Sequence, residues 1–157
     1  MKTLFLLRHA KSSWQYQVAD HQRPLQQKGI ERILKVAQKN ATLWQQLDAL
    51  YSSPAIRALH TATIAAWESQ LDFQKLQITP ALYTFSSTPV IEFIQQLDNQ
   101  LNQVMLVGHN PAFTEVANRL SNTPCPDLKT AAWAKIEFDS PTWNKVAQGQ
   151  LTWEITS

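Results

Sequence analysis

The chain has 157 residues, 44% hydrophobic and 10% aromatic, which suits one domain spanning 1–157 with a real core. Its net charge of +2 is small and scattered, with no dense basic tract, which argues against nucleic acid or an anionic membrane as partner. Charged residues reach only 17%, below the roughly 25% of average domains, and glutamine fills much of the polar surface.

The elements follow in chain order. Leu4-Phe5-Leu6-Leu7 is a continuous apolar run, so residues 2–8 are predicted as a strand. The run is too short for a signal-peptide core, and no later stretch approaches the roughly 18 apolar residues of a membrane span. A soluble cytoplasmic protein is the expectation. From Gly29 to about Gln46, apolar residues recur at Ile30, Ile33, Leu34 and Ala37, then Ala41, Trp44 and Leu47, a helical spacing. Asp48 to Tyr51 is a short second strand. It runs into Ser53-Pro54, where serine is a good N-cap and proline a good first residue for a helix reaching about Trp67.

Leu76–Thr79 is a third strand, and Pro89 opens a helix with Val90, Ile91, Phe93, Ile94 and Leu97 on its apolar face. Val104–Val107 is apolar throughout, as a central strand should be. Pro111 to about Leu120 is helical, and a proline-bearing loop covers 122–129. It holds Cys125, the one cysteine, which reads as an ordinary free thiol. Ala131–Phe138 and Gln150–Ile155 are two strands with no helix between them, hence antiparallel. The sum is a three-layer α/β sandwich, mostly parallel sheet flanked by helices, with antiparallel edge strands near the C-terminus. The six tryptophans are expected mostly in its core.

Three segments carry chemistry. The first strand ends on Arg8-His9, and the fourth ends on Gly108-His109-Asn110-Pro111. Between them lies Ser52-Ser53-Pro54-Ala55-Ile56-Arg57. In open α/β sheets, ligands bind outside the carboxyl ends of the strands. Arginine offers a planar fork matched to phosphate oxygens, and a neutral histidine offers a nucleophile. Phosphoryl transfer to His9 would need fixed donors on the equatorial oxygens, which Arg8, Arg57 and His109 would supply. Arg57 should fall in the first turn of its helix, where free N–H groups also favour an anion. Gly108 would let the backbone approach whatever occupies the crevice. The nearby guanidinium groups should keep His9 unprotonated. His9, His21, His60 and His109 contain no short pair of zinc type, so neither metal nor cofactor is expected.

These segments, with Asp20-x-x-Arg23-Pro24-Leu25-x-x-x-Gly29, Thr61-Ala62 and Thr130-Ala131-Ala132, occur in the order of the histidine phosphatase superfamily. The short chain and its Arg-His-Ala-Lys-Ser form look most like the SixA branch, the phosphohistidine phosphatases. The resemblance implies that His9 is the nucleophile, transiently phosphorylated on nitrogen, within a phosphate pocket of Arg8, Arg57 and His109. It also implies that Arg23 faces the pocket or pairs with Asp20.

Two departures bear on the chemistry. His60 stands where relatives usually have glutamine, one helical turn from Arg57. Relatives acting on alcohol phosphates carry a glutamate two residues after a leucine, whereas Leu82-Tyr83-Thr84 places threonine there, and Glu92 reads as a solvated flank. An alkoxide leaves badly without a general acid, while the imidazole of phosphohistidine leaves well once its ring is protonated. The implied activity is a metal-independent phosphatase acting on phosphohistidine in a signalling or carrier protein. A small-molecule phosphate ester hydrolase and a non-catalytic phosphoprotein-binding module are the alternatives. Lys11 and Ser13 read as loop surface, and Trp14 as core or crevice wall.

Overall fold

The structure, a computed structural model, describes residues 1–155, so positions 156 and 157 of the expected domain lie outside the described residues. Its strands are β1 (Lys2–Arg8), β2 (Ala49–Ser52), β3 (Leu76–Ile78), β4 (Gln103–Gly108), β5 (Trp133–Phe138) and β6 (Gln150–Glu154). They form one six-stranded sheet in the order β3-β2-β4-β1-β5-β6. The pairs β3/β2, β2/β4 and β4/β1 are parallel, and the β1/β5 and β5/β6 pairs are antiparallel. Helices α1 (Gln27–Lys39), α2 (Ala41–Trp44), α3 (Ile56–Glu68), α4 (Ser87–Gln95) and α5 (Ala112–Leu120) cover it.

Alternation along the buried strands builds a core on each face. Leu4 and Leu6 with Val104 and Leu106 turn toward α4 and α5, where Val90, Ile94, Phe113 and Val116 meet them. Phe5 and Leu7 with Met105 and Val107 turn the other way, onto Ile33, Ala37, Ala58 and Ala62 of α1 and α3. The run of alanines on α3 lets that helix lie close to the sheet. Lys2 is buried, its ammonium donating to the carbonyls of Asn99 and Leu101 and to Asn102 Oδ1. Among the described residues no helix is long and apolar enough to cross a membrane.

Three expectations need correction. The helix predicted over 29–46 is two helices, because Asn40 ends α1 by donating from Nδ2 to the Val36 carbonyl. The helix expected from Pro54 starts at Ile56. Ser53 is not its N-cap, because its backbone N–H still extends the sheet by donating to the Val107 carbonyl, while its hydroxyl accepts from Ala55 N. Only half of the tryptophans are core residues: Trp44, Trp133 and Trp143 are buried, while Trp14, Trp67 and Trp153 are exposed.

Candidate active site

Register brings the two histidines together. In the parallel β1/β4 pair Arg8 is opposite Gly108, so His9 and His109 follow side by side off the same end of the sheet. His9 N–H donates to the Gly108 carbonyl, continuing the ladder past the strands. The two rings lie 5.3 Å apart between centroids. Strand β2, paired with β4 as far as Ser52 and Val107, delivers Ser53 and then α3 to the same rim.

His9 is buried, and its Nδ1 lies 2.7 Å from the Ala10 carbonyl. A carbonyl only accepts, so Nδ1 carries the proton and Nε2 keeps its lone pair. Burial lowers the His9 pKa to about 4, with Arg57, Arg8 and Arg23 adding to the effect against the Ala10 bond. The ring is thus neutral and nucleophilic at ordinary pH. Its loop is clamped by Thr61, whose hydroxyl accepts from Ala10 N and donates to the Arg57 carbonyl.

His109 is buried more deeply, and its Nε2 is 2.8 Å from the Ser53 hydroxyl. Burial lowers its pKa to about 3, with His9 and Arg57 working in the same direction and Asp20 opposing. Tyr83 and Phe85 stand against the ring, at 5.5 and 5.6 Å between centroids.

The arginines are held by backbone and by one acid. Arg8 donates to the Leu128 carbonyl. Arg57 lies in the first turn of α3, as expected, and is 2% exposed; it donates to the Asp20 carbonyl and, at 3.0 Å, to Asp20 Oδ2. Arg23 is buried too, donating to Asp20 Oδ1, to the Ser12 hydroxyl and to the Ser13 carbonyl, with Trp14 stacked 3.5 Å from its guanidinium carbon. The Tyr83 hydroxyl donates to Asp20 Oδ2 at 2.5 Å. These donors hold the Asp20 carboxyl down to about 2 although burial works the other way. Asp20 therefore stays ionised.

A pocket of about 400 Å³ is lined by Arg8, His9, Asp20, Arg23 and Arg57, with Lys11, Trp14, Phe85 and Asn110 on its walls. Two buried nitrogens of these lining residues, Arg8 Nε and Arg57 Nε, have no hydrogen-bond partner, and neither has Nδ1 of the neighbouring His109. Among the described residues no group of three or more histidine, cysteine or carboxylate side chains is placed to hold a metal ion.

Of the five residues singled out from the sequence, Arg8, His9, Arg23 and Arg57 line one pocket, and His109, buried and outside that lining, packs its ring on His9. Lys11 and Trp14 stand at the pocket wall, Ser13 lies in the adjoining groove, and His60 is half-buried on α3. Gly108 serves differently from the expectation. A Cβ there would sit 2.7 Å from Phe113 Cζ, so the missing side chain makes room for α5 and not for a ligand. Ser53, Tyr83 and the second contact of Asp20, to Arg57, were not foreseen. Ser53 carried a signal, lying one residue before the proline of the arginine motif, but that position reads equally well as a cap.

Comparison with known proteins gives the same neighbourhood. The family model described as histidine phosphatase superfamily (branch 1) matches residues 4–83. An uncharacterized chloroplastic protein of Arabidopsis thaliana is 29% identical over 155 residues, covering 92% of this chain and 70% of its own. The fold is like that of the protein histidine phosphatase SixA solved with tungstate, at TM-score 0.81 and 20% identity, covering 98% of this chain and 96% of that one. It is also like mycobacterial glucosyl-3-phosphoglycerate phosphatase, at TM-score 0.66 and 13% identity, covering 99% and 98%.

Proposed function

The chain belongs to the histidine phosphatase superfamily, and from that premise we propose a metal-independent phosphatase that passes phosphate through a covalent phosphohistidine on His9. The carrying observation is the contact of His9 Nδ1 with the Ala10 carbonyl, which sets the tautomer. With Nδ1–H fixed on the Ala10 carbonyl, Nε2 is the nitrogen left to attack phosphorus. Arg8 and Arg57 line the same pocket as His9, and His109 packs against the His9 ring, which together supply the donors proposed for the equatorial oxygens. His9 Nε2 forms a bond to phosphorus as the leaving group departs, and water then takes the phosphoryl group from His9.

The substrate we favour is phosphohistidine in a signalling or carrier protein of the cytoplasm. Asp20 lines the pocket but is held ionised by Arg57, Arg23 and Tyr83, so it has no proton to give an alkoxide. Thr84, two residues after Leu82, stands where the family resemblance puts the glutamate of relatives acting on alcohol phosphates. Breaking a P–N bond to a protonated imidazole needs no such acid. A small phosphate ester is the second reading, supported by the likeness of fold to a sugar-phosphate phosphatase.

The test is turnover of a phosphorylated carrier domain beside an aryl phosphate and a panel of alkyl phosphates, with and without chelator. Phosphohistidine and aryl phosphate hydrolysed in the presence of chelator support the proposal. Activity that vanishes on chelation and returns with a divalent ion overturns the metal-free mechanism. Rapid quench should trap phosphate on His9 as an acid-labile, base-stable adduct, and trapping it on serine instead overturns the covalent step.

A further inference from the structure

Asp20 is an acid set among cations in a pocket built for an anion. It lines the cavity with His9 and Arg8, and its side chain is 42% exposed. The charged and titratable groups facing it come from every element around it: Arg23 at the end of its own turn, Arg57 on α3, Tyr83 from the segment before α4, and His109 off β4. Arg23 occupies Oδ1, and Arg57 and Tyr83 share Oδ2. An ionised carboxylate offers about four acceptor positions, so about one remains. If Asp20 only anchored arginines, its exposure toward the pocket would weaken both ion pairs and bring nothing to the site.

We propose that Asp20 is a further catalytic residue, its carboxylate accepting the N–H of the leaving imidazole so that the substrate histidine departs with its ring proton in place. The proposal rests on the phosphohistidine reading above. In the step, His9 Nε2 bonds to phosphorus and the P–N bond of the substrate breaks. The bonding pair returns to the substrate nitrogen that carried phosphorus. The ring, protonated on its other nitrogen throughout, leaves as neutral imidazole, and no proton has to be delivered. A free histidine ring titrates at about 6.5, so above neutrality most of the substrate would lack that proton. A carboxylate beside the N–H favours the protonated ring and extends the reactive form to higher pH. Alkyl and aryl phosphates offer no such N–H, so the contact also selects among leaving groups.

The experiment is the pH profile of kcat/KM for a phosphohistidine-bearing domain and for an aryl phosphate, in wild type, Asp20→Asn and Tyr83→Phe. Asp20→Asn keeps an acceptor but removes the charge. It should move the alkaline limb for phosphohistidine down by about one pH unit and lower its rate there by about tenfold relative to aryl phosphate. Tyr83→Phe frees an acceptor position and a donor from Oδ2, so it should move the same limb upward. Vanadate affinity reports how well the arginines are still held. Loss of both activities in parallel, with the phosphohistidine limb unmoved in both variants, overturns the proposal and leaves Asp20 as an anchor. A wild type that hydrolyses aryl phosphate but not phosphohistidine overturns the proposed function itself, and this proposal with it.

Discussion

His9 and His109 are imidazoles kept neutral by burial and by neighbouring guanidinium groups, at about 4 and about 3 against an ordinary value of 6.5. Neutrality leaves His9 the lone pair that the proposed mechanism requires, so on that mechanism His9→Ala should abolish turnover while vanadate still binds, with weakened affinity. Arg57→Ala should reduce both binding and rate, since in the proposed mechanism its guanidinium holds the group before and during transfer. Near wild-type turnover in His9→Ala would remove the nucleophile assignment. The same burial has a cost in stability. Both rings bind protons more weakly folded than unfolded, so between about 6.5 and the folded values the unfolded chain holds more protons. Stability is therefore full above about pH 6.5 and drains as pH falls toward 4 and then 3, on the order of a few kcal/mol for the pair. Asp20, with its value lowered to about 2, contributes in a separate window, lost only below the ordinary carboxylate range. Denaturation midpoints at pH 7.5 and 4.5 should differ clearly in wild type and less in His109→Asn. Equal slopes in the two proteins would mean that His109 is not buried as a neutral ring.

Strands β1 and β4 were legible as elements because strands buried on both faces read as unbroken apolar runs. The break at Asn40 was not, because the apolar spacing runs on through Trp44 and Leu47 and only a side-chain bond to Val36 interrupts it. Nor does composition say which tryptophans are covered. Gly29 shows how an element sets the site from a distance. A Cβ there would overlap the Lys11 carbonyl oxygen, so α1 can lie against the segment that follows His9 only without a side chain. That segment is pinned further by Gln26 N–H on the Lys11 carbonyl and by Ser13 N–H on the Pro24 carbonyl. Backbone cannot rotate away as a side chain can. Gly29→Ala should therefore destabilise the fold by about 1–3 kcal/mol, the usual range for overpacking, and also lower kcat/KM on aryl phosphate by shifting the Lys11–Ser13 segment. Denaturant midpoints and aryl phosphate kinetics check both, and a variant as stable and active as wild type would show that this contact does not position the loop.

At the scale of the whole molecule, the site is gathered from chain segments that meet only in the fold. The residues at strand ends were legible, since Arg8-His9 and Gly108-His109 sit next to their strands in sequence. The pairing of Tyr83 with Asp20 was not, because it joins two loops 63 residues apart, and no local pattern encodes such a contact. That pairing decides what kind of acid the pocket holds. Asp20 is fixed as an anion, and Thr84, whose hydroxyl oxygen accepts from Ser86 N–H, is an alcohol and not a carboxylic acid. General acid catalysis commonly contributes about 10²–10⁴-fold, so its lack should cost roughly 3–5 kcal/mol on poor leaving groups. The penalty should nearly vanish for aryl phosphates and for a protonated phosphohistidine. kcat/KM should therefore rank both well above serine phosphate or sugar phosphates of similar accessibility. Thr84→Glu sets a carboxyl group beside Tyr83, whose ring already packs on His109. A glutamate there carries no arginine partner of its own and can hold a proton near neutrality if the pocket desolvates it. It should narrow the gap between alkyl and aryl phosphate by raising the alkyl rate alone. Efficient hydrolysis of ordinary alkyl phosphates by the wild type would mean that a proton donor is already present, and that the P–N preference is mistaken.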